Sequence, residues 1–293
     1  MRFLNTKTIL SLAGALLFCI SAFAQLDLPR KSPKASISYT VGLTTISITY
    51  SSPAVSERKI WGSLVPYDKV WRAGANEATT MEFSTDINIE GKALSAGKYA
   101  FFLIPKEEGE WTAVFNKKAD QWGAYEYSEE EDALRVDITT KTTRVNQERL
   151  EYGIVDQAMD KGYIRFAWGK KRAYIRFAVD VMDKALANIE KALEGAEEDQ
   201  KWGIYGQAAD FLSMSEEHLD QALEYAEKST AMFEHSWNYW VKAQIQALKG
   251  DYKGAVASAA KSKEVGMANE KDTFYADSKM VIEKKVTEWK KKS

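Results

Sequence analysis

The apolar residues of this chain change their spacing once, near Val181, and that change limits the folds open to it. Before this point they recur at every second position. After it they recur at every third or fourth. A two-residue repeat puts side chains on alternate faces of a strand, whereas a repeat near 3.6 lines one face of a helix. The chain reads as a β part followed by an α part. Strands and helices do not alternate along it, so a doubly wound sheet is not expected.

In the first part, Ala35, Ile37, Tyr39 and Val41 alternate with polar residues, and Ile46, Ile48 and Tyr50 do so again after Gly42. That pair predicts a hairpin with one buried face. Met81 and Phe83, continuing to Ile87 and Ile89, predict another strand, with Glu90-Gly91-Lys92 as a turn. Further strands are predicted at Tyr99–Leu103, Trp111–Phe115, Leu134–Ile138 and Leu150–Ile154. Ile164, Phe166 and Trp168 should pair across Gly169-Lys170-Lys171 with the run from Ala173 to Val179. About nine short strands with turn signals between them make an antiparallel β-sandwich or barrel. Between Arg58 and Val70 the chain is irregular but apolar (Trp61, Leu64, Pro66, Tyr67), as expected of a loop lying over the end of a core.

In the second part, one helical face collects Met182, Leu186, Ile189 and Leu193. Further faces collect Trp202, Tyr205, Ala209 and Leu212, then Leu219, Leu223 and Ala226, then Trp237, Trp240, Val241, Ile245 and Leu248. Ala255, Val256 and Ala259 form a fifth. Phe274, Val281, Ile282 and Trp289 form a last, more polar one. Gln221–Ala226 is similar to Gly254–Ala259, and Ala222 and Ala255 stand 33 residues apart. The tetratricopeptide period is about 34. A tetratricopeptide-like helical hairpin stack follows, two degenerate repeats with flanking helices. Such stacks bind partner segments along a concave face. Helices that merely pack on the β part or extend it are an equally open reading.

The N-terminus reads as a secretory signal over residues 1–24. It has a basic start at Arg2 and Lys7, an apolar run from Ile9 to Phe18, and small residues at Ala22 and Ala24 before Gln25. The run is too short for a membrane span. Cys19, the one cysteine, lies inside the signal. The processed chain then has no thiol for a disulfide, a metal site or a nucleophile. A leader with Pro29 and Pro33 would occupy residues 25–34, the β-sandwich domain 35–180, and the helical repeat domain 181–293. Removal of residues 1–24 takes away two basic groups and no acidic ones, so the net charge of −2 becomes −4. A mildly acidic, mixed-sign surface argues against nucleic-acid partners. The lysines from Lys284 to Lys292 read as a solvated helix end. Periplasmic or secreted localisation is expected.

One segment concentrates polar chemistry: Val70-Trp71-Arg72-Ala73-Gly74-Ala75-Asn76-Glu77-Ala78-Thr79-Thr80. With Ile60-Trp61-Gly62, Leu64-Val65-Pro66-Tyr67 and Ala96-Gly97-Lys98-Tyr99, it resembles domain-of-unknown-function family 2911. The resemblance covers about residues 32–180. It implies a bacterial, mostly exported protein of no established activity. Arg58, Asp132 and Arg135 match further polar positions of that family. Ser52 stands where many relatives carry Arg, and a ligand role tied to that Arg would not transfer.

Both histidines, His218 and His235, lie in the helical part, so a Ser-His-Asp triad, a Cys-His pair or a histidine zinc site is excluded from the β part. No phosphate loop or dinucleotide glycine pattern is present. No metal and no cofactor is expected. The candidate cluster, for ligand binding or for structure, is Arg58, Trp71, Arg72, Asn76, Glu77, Thr79, Asp132 and Arg135. Arg72 could clamp an anion, Glu77 serve as a base, Asn76 orient a polar substrate, and Trp61, Trp71 and Tyr67 form a stacking wall. The structural reading is favoured: an Arg72–Glu77 pair beneath the Pro66-Tyr67 loop, Asn76 bonded to turn backbone, and Gly74 at positive φ. Two functional classes follow. One is an exported, non-catalytic binding module, taking a small polar or sugar-like ligand at the β domain and a protein partner through the helices. The other is a carboxylate-based hydrolase or lyase using Glu77 and Asp132, which requires the two to share one pocket.

Overall fold

The computed structural model describes residues 28–293. The expected secretory signal lies outside them. The chain divides into two compact units, ending at Val179 and beginning at Asp180.

The first unit is antiparallel throughout. Its strands are β1 (Lys34–Val41), β2 (Thr44–Ser51), β3 (Thr79–Phe83), β4 (Ile87–Ile89), β5 (Lys92–Leu94), β6 (Gly97–Ile104), β7 (Trp111–Asn116), β8 (Asp132–Val155) and β9 (Lys161–Val179). They are hydrogen-bonded in the order β1-β2-β3-β6-β7-β8-β9-β4-β5. The β8 strand joins two layers. Its start, as far as Ile138, pairs with β7, and from Thr139 it pairs with β9. The sheet therefore folds over into a sandwich-like arrangement and is not a closed barrel. The layers meet through aromatic rings, Tyr50 against Tyr152 at 4.9 Å and Phe101 against Tyr152 at 6.2 Å. The Arg58–Val70 loop closes one end, as its apolar content implied. Trp61 packs 4.6 Å from Trp111 and 6.0 Å from Trp168, with Trp71 stacked 5.7 Å from Trp168.

Three strand assignments differ from the sequence reading. The expected strand from Met81 to Ile89 is broken at Ser84-Thr85-Asp86. Its first half pairs with β2 and β6, and its second half crosses to β9. Alternation continues through the corner, so periodicity alone did not reveal it. Leu134–Ile138 and Leu150–Ile154 belong to one strand, β8, with two register shifts between them. Gly169-Lys170-Lys171 is a bulge within β9 and not a turn. The inward residues change phase there, from Phe166 and Trp168 to Ala173 and Ile175, which is what one extra residue does to a strand. Gly169 supplies a φ of 56°. Buried Arg172 donates to the carbonyls of Gly169, Lys171 and Val145 and pins the irregularity.

The second unit contains α1 (Met182–Gly195), α2 (Lys201–Leu212), α3 (Leu219–Met232), α4 (Ser236–Leu248), α5 (Tyr252–Ala268) and α6 (Phe274–Lys290). Helical hairpins α2–α3 and α4–α5 stack, and α6 covers the free face of α5. Ala222 and Ala255 each sit fourth in their helix and are fully buried. Small side chains there let the helices approach closely. One core cluster joins Ala209, Leu212, Ala222, Ala226, Val241 and Ile245. The other joins Trp240, Ala243, Ala255, Ala259, Tyr275, Ile282 and Trp289. Among the described residues no helix is long and apolar enough to cross a membrane.

Candidate functional site

The polar segment folds into a tight turn that closes on itself. Trp71 exchanges two backbone hydrogen bonds with Leu103, at 2.8 and 2.9 Å, extending the β6 ladder beyond the point where β3 begins. Residues 72–78 turn back, and the Thr79 N–H donates to the Arg72 carbonyl at 3.2 Å. Alternation then points Trp71 into the aromatic core and Arg72 to the other side of the sheet. The buried Ala73 carbonyl accepts the Thr79 hydroxyl at 3.0 Å and the Tyr152 hydroxyl at 2.9 Å. Burial, ahead of the opposing bond to Thr79, holds the Tyr152 phenol well above its usual pKa, so it remains a donor.

Positive φ falls on Ala73 (52°) and Asn76 (57°), not on Gly74 as the sequence suggested. Gly74 is required for space: a Cβ there would meet Thr79 Oγ1 at 2.9 Å and the Ser51 carbonyl at 3.2 Å. The Asn76 amide donates to the Ser32 carbonyl and to Ser51 Oγ, both at 3.2 Å, in agreement with a backbone-bracing role.

The expected Arg72–Glu77 pair does not form. Glu77 is bound instead by Arg30, whose Nη1 reaches both carboxylate oxygens at 2.6 and 2.9 Å. This bond, ahead of the opposing effect of burial, holds the Glu77 carboxyl below its ordinary pKa. Arg72 is half-buried, its Nε has no hydrogen-bond partner among the described residues, and burial lowers its pKa. The sequence offered no local signal for Arg30, because a pairing across 47 positions is visible only in the folded chain.

The remaining candidates lie elsewhere. Arg58 braces its own loop, donating to the Val55 and Ala54 carbonyls at 3.0 and 2.5 Å. Asp132 accepts the Asn116 amide at 2.9 Å and the Tyr127 hydroxyl at 2.7 Å, with Arg135 Nε 3.7 Å away. Arg135 also binds Glu129 at 2.5 Å. Burial, then the bond to Asp132, raises the Tyr127 phenol far above its usual range. Glu77 and Asp132 therefore share no side-chain partner. Trp61 and Trp71 belong to the core cluster, and Tyr67 lies across Gly62, where a Cβ would meet its ring at 2.6 Å. Trp122 is 54% exposed, and its backbone bridges to Glu77.

One cleft does touch the segment. About 430 Å³ in volume, it lies over the outer face of β1, β2, β3 and β6, bounded by Glu77, Thr80, Lys34, Lys98, Asp120 and Gln121. Both signs of charge and several hydroxyls face it, which suits a ligand carrying many hydrogen-bonding groups. Among the described residues no three His, Cys, Asp or Glu side chains gather to hold a metal ion.

Residues 32–177 match the family described as protein of unknown function (DUF2911). The match takes in nearly the whole of the β unit. The match ends at residue 177, within β9, and takes in none of the helices. No curated protein and no solved structure matches the chain.

Proposed function

We propose that this protein is an exported, non-catalytic binding module, whose DUF2911 domain holds a small polar or sugar-like ligand and whose helical hairpins receive a protein partner. The observation that carries the reading is the placement of Glu77. It is the one carboxylate of the family segment, it stands ionised at the rim of a 430 Å³ cleft, and Arg30 holds it there. Asn76 and Thr79, by contrast, are used in holding the turn. The export element rests on the basic, apolar and small-residue pattern of residues 1–24.

The carboxylate-based hydrolase or lyase is the weaker alternative. Acid–base work by two carboxylates needs them on one substrate. Here Glu77 is bound by Arg30, while Asp132 is held by Asn116, Tyr127 and Arg135. An amide-resolved NMR titration of the full chain with neutral and amino sugars tests the binding reading. Shifts confined to residues around Glu77, Thr80 and Gln121 are expected, and Glu77→Gln should weaken binding about tenfold by removing a charge-assisted acceptor. Unchanged binding by that variant, or no shifts around the cleft with any sugar, refutes it.

A further inference from the structure

A second, separate depression lies in the β8–β9–β4 layer, and no part of the family segment reaches it. The β9 strand curls until its ends meet, and the Val179 N–H donates to the Asp160 carbonyl at 2.7 Å. The curl brings Tyr163, near the start of β9, within 6.4 Å of Tyr174, with the rings at 88°. Two lobes open beside this corner. One, of about 430 Å³, is bounded by Glu90, Thr139, Lys141 and Tyr174. The other, of about 340 Å³, is less polar and bounded by Gly91, Ala158, Gly162 and Phe177. Asp156, Tyr163 and Arg176 line both, so the lobes adjoin.

The chemistry of the lining selects a ligand class. Neither tyrosine hydroxyl makes a hydrogen bond among the described residues, and both rings present apolar faces beside those hydroxyls. Glu90 is already engaged, accepting the Arg176 N–H at 2.6 Å and lying 3.7 Å from Arg176 Nε. The outer nitrogens of Arg176 remain open to a ligand. Lys141 stands over the Tyr174 ring, 5.4 Å from its centre. The floor is β-sheet, whose N–H groups are largely consumed in the ladders, so an anion here is met by side chains and not by a backbone nest. A guanidinium and an ammonium flank a tyrosine corner, with Thr139 and Asp156 able to bond hydroxyls. We propose that this groove is a binding site for an acidic saccharide. Arg176 and Lys141 hold the carboxylate of a uronic acid unit, Tyr163 and Tyr174 receive the apolar face of its ring, and the second lobe takes the next sugar unit.

Calorimetric titration of the full chain with trigalacturonate, with the corresponding neutral trigalactose and with inorganic phosphate tests the assignment. Trigalacturonate is expected to bind, the neutral trimer at least tenfold more weakly, and phosphate more weakly than either. Arg176→Gln and Tyr163→Ala should each reduce trigalacturonate affinity at least tenfold with the thermal midpoint retained. Lys170→Gln, which removes one positive charge from an exposed position outside the groove, should leave affinity unchanged. The proposal is overturned by equal binding of the neutral trimer, by phosphate binding as tightly as trigalacturonate, by loss of affinity in all three variants alike, or by no binding. The site shares no lining residue with the Glu77 cleft, so either assignment can fail while the other stands.

Discussion

The Ala73 carbonyl offers a direct test of whether the family segment is built as architecture. Ala73 is fully buried and held at a φ of 52°, a conformation that costs a non-glycine residue about 1 kcal/mol. Its carbonyl is satisfied by two hydroxyls, from Thr79 and Tyr152. Thr79→Val and Tyr152→Phe each delete one donor with little change of shape. Each should destabilise the β unit by about 1 kcal/mol, the usual net value of one hydrogen bond. The double variant strands a buried acceptor, which adds about 1–3 kcal/mol beyond the two single losses. The total should be about 3–5 kcal/mol, with a coupling of at least about 1 kcal/mol, as expected of neighbours sharing one partner. Urea denaturation followed by ¹⁹F NMR of 5-fluorotryptophan would resolve Trp71 and Trp168 from the tryptophans of the helical unit, and unchanged slopes would certify comparable unfolding. Losses that add within about 0.5 kcal/mol would refute the argument, because the carbonyl would then have found another donor.

Three further outcomes are expected. Arg72→Met should leave stability unchanged or raise it, by up to about 1 kcal/mol, because no anion among the described residues offsets the burial of the guanidinium; a loss of about 3 kcal/mol, the signature of a broken buried ion pair, would contradict this in the same denaturation assay. In the helical unit, buried Asp272 accepts from the Ser236 N–H at 2.6 Å and its hydroxyl at 2.5 Å, so Asp272→Ala should cost about 2–4 kcal/mol by far-ultraviolet circular dichroism, and a loss under about 1 kcal/mol would count against it. The Glu77 carboxyl is depressed below its ordinary 4.5 by Arg30, so its contribution is present above that value and disappears as pH falls through the lower folded pKa. Both side chains are substantially exposed, so Arg30→Ala should remove that acid-range slope while lowering neutral-pH stability by less than about 1 kcal/mol; a slope that persists in the variant would reject the assignment.

Much of the architecture was legible because it follows from period. Alternation located the β residues of Ile46–Tyr50, Tyr99–Leu103 and Trp111–Phe115, and the change of period after Val181 separated the strands from the helices. Ala222 and Ala255, 33 residues apart, hold the same position in α3 and α5. Apolar content alone placed the Arg58–Val70 loop over the core. What escaped was continuity. Gly169-Lys170-Lys171 has turn composition, yet it lies in a strand whose partner β8 supplies matching irregularities. Met81 to Ile89 keeps its alternation while changing layers, since a strand that bends into a second sheet still needs one face inward.

Side-chain partners were the larger omission at the candidate site. The residue types of the Trp71–Thr79 segment announced a polar cluster, and its own spacing suggested an Arg72–Glu77 pair. Only the folded chain brings Arg30 to Glu77, Tyr152 to Ala73 and Asn116 to Asp132. The curl of β9 that sets Tyr163 beside Tyr174 likewise has no sequence period, because it is produced by bulges and by pairing with β8 and β4. Local sequence determined what repeats locally: strand faces, helix faces and the boundary between them, since backbone geometry projects side chains at set intervals. Tertiary structure alone decided which distant charges and hydroxyls meet, since a hydrogen bond depends on proximity in space and leaves no periodic trace along the chain.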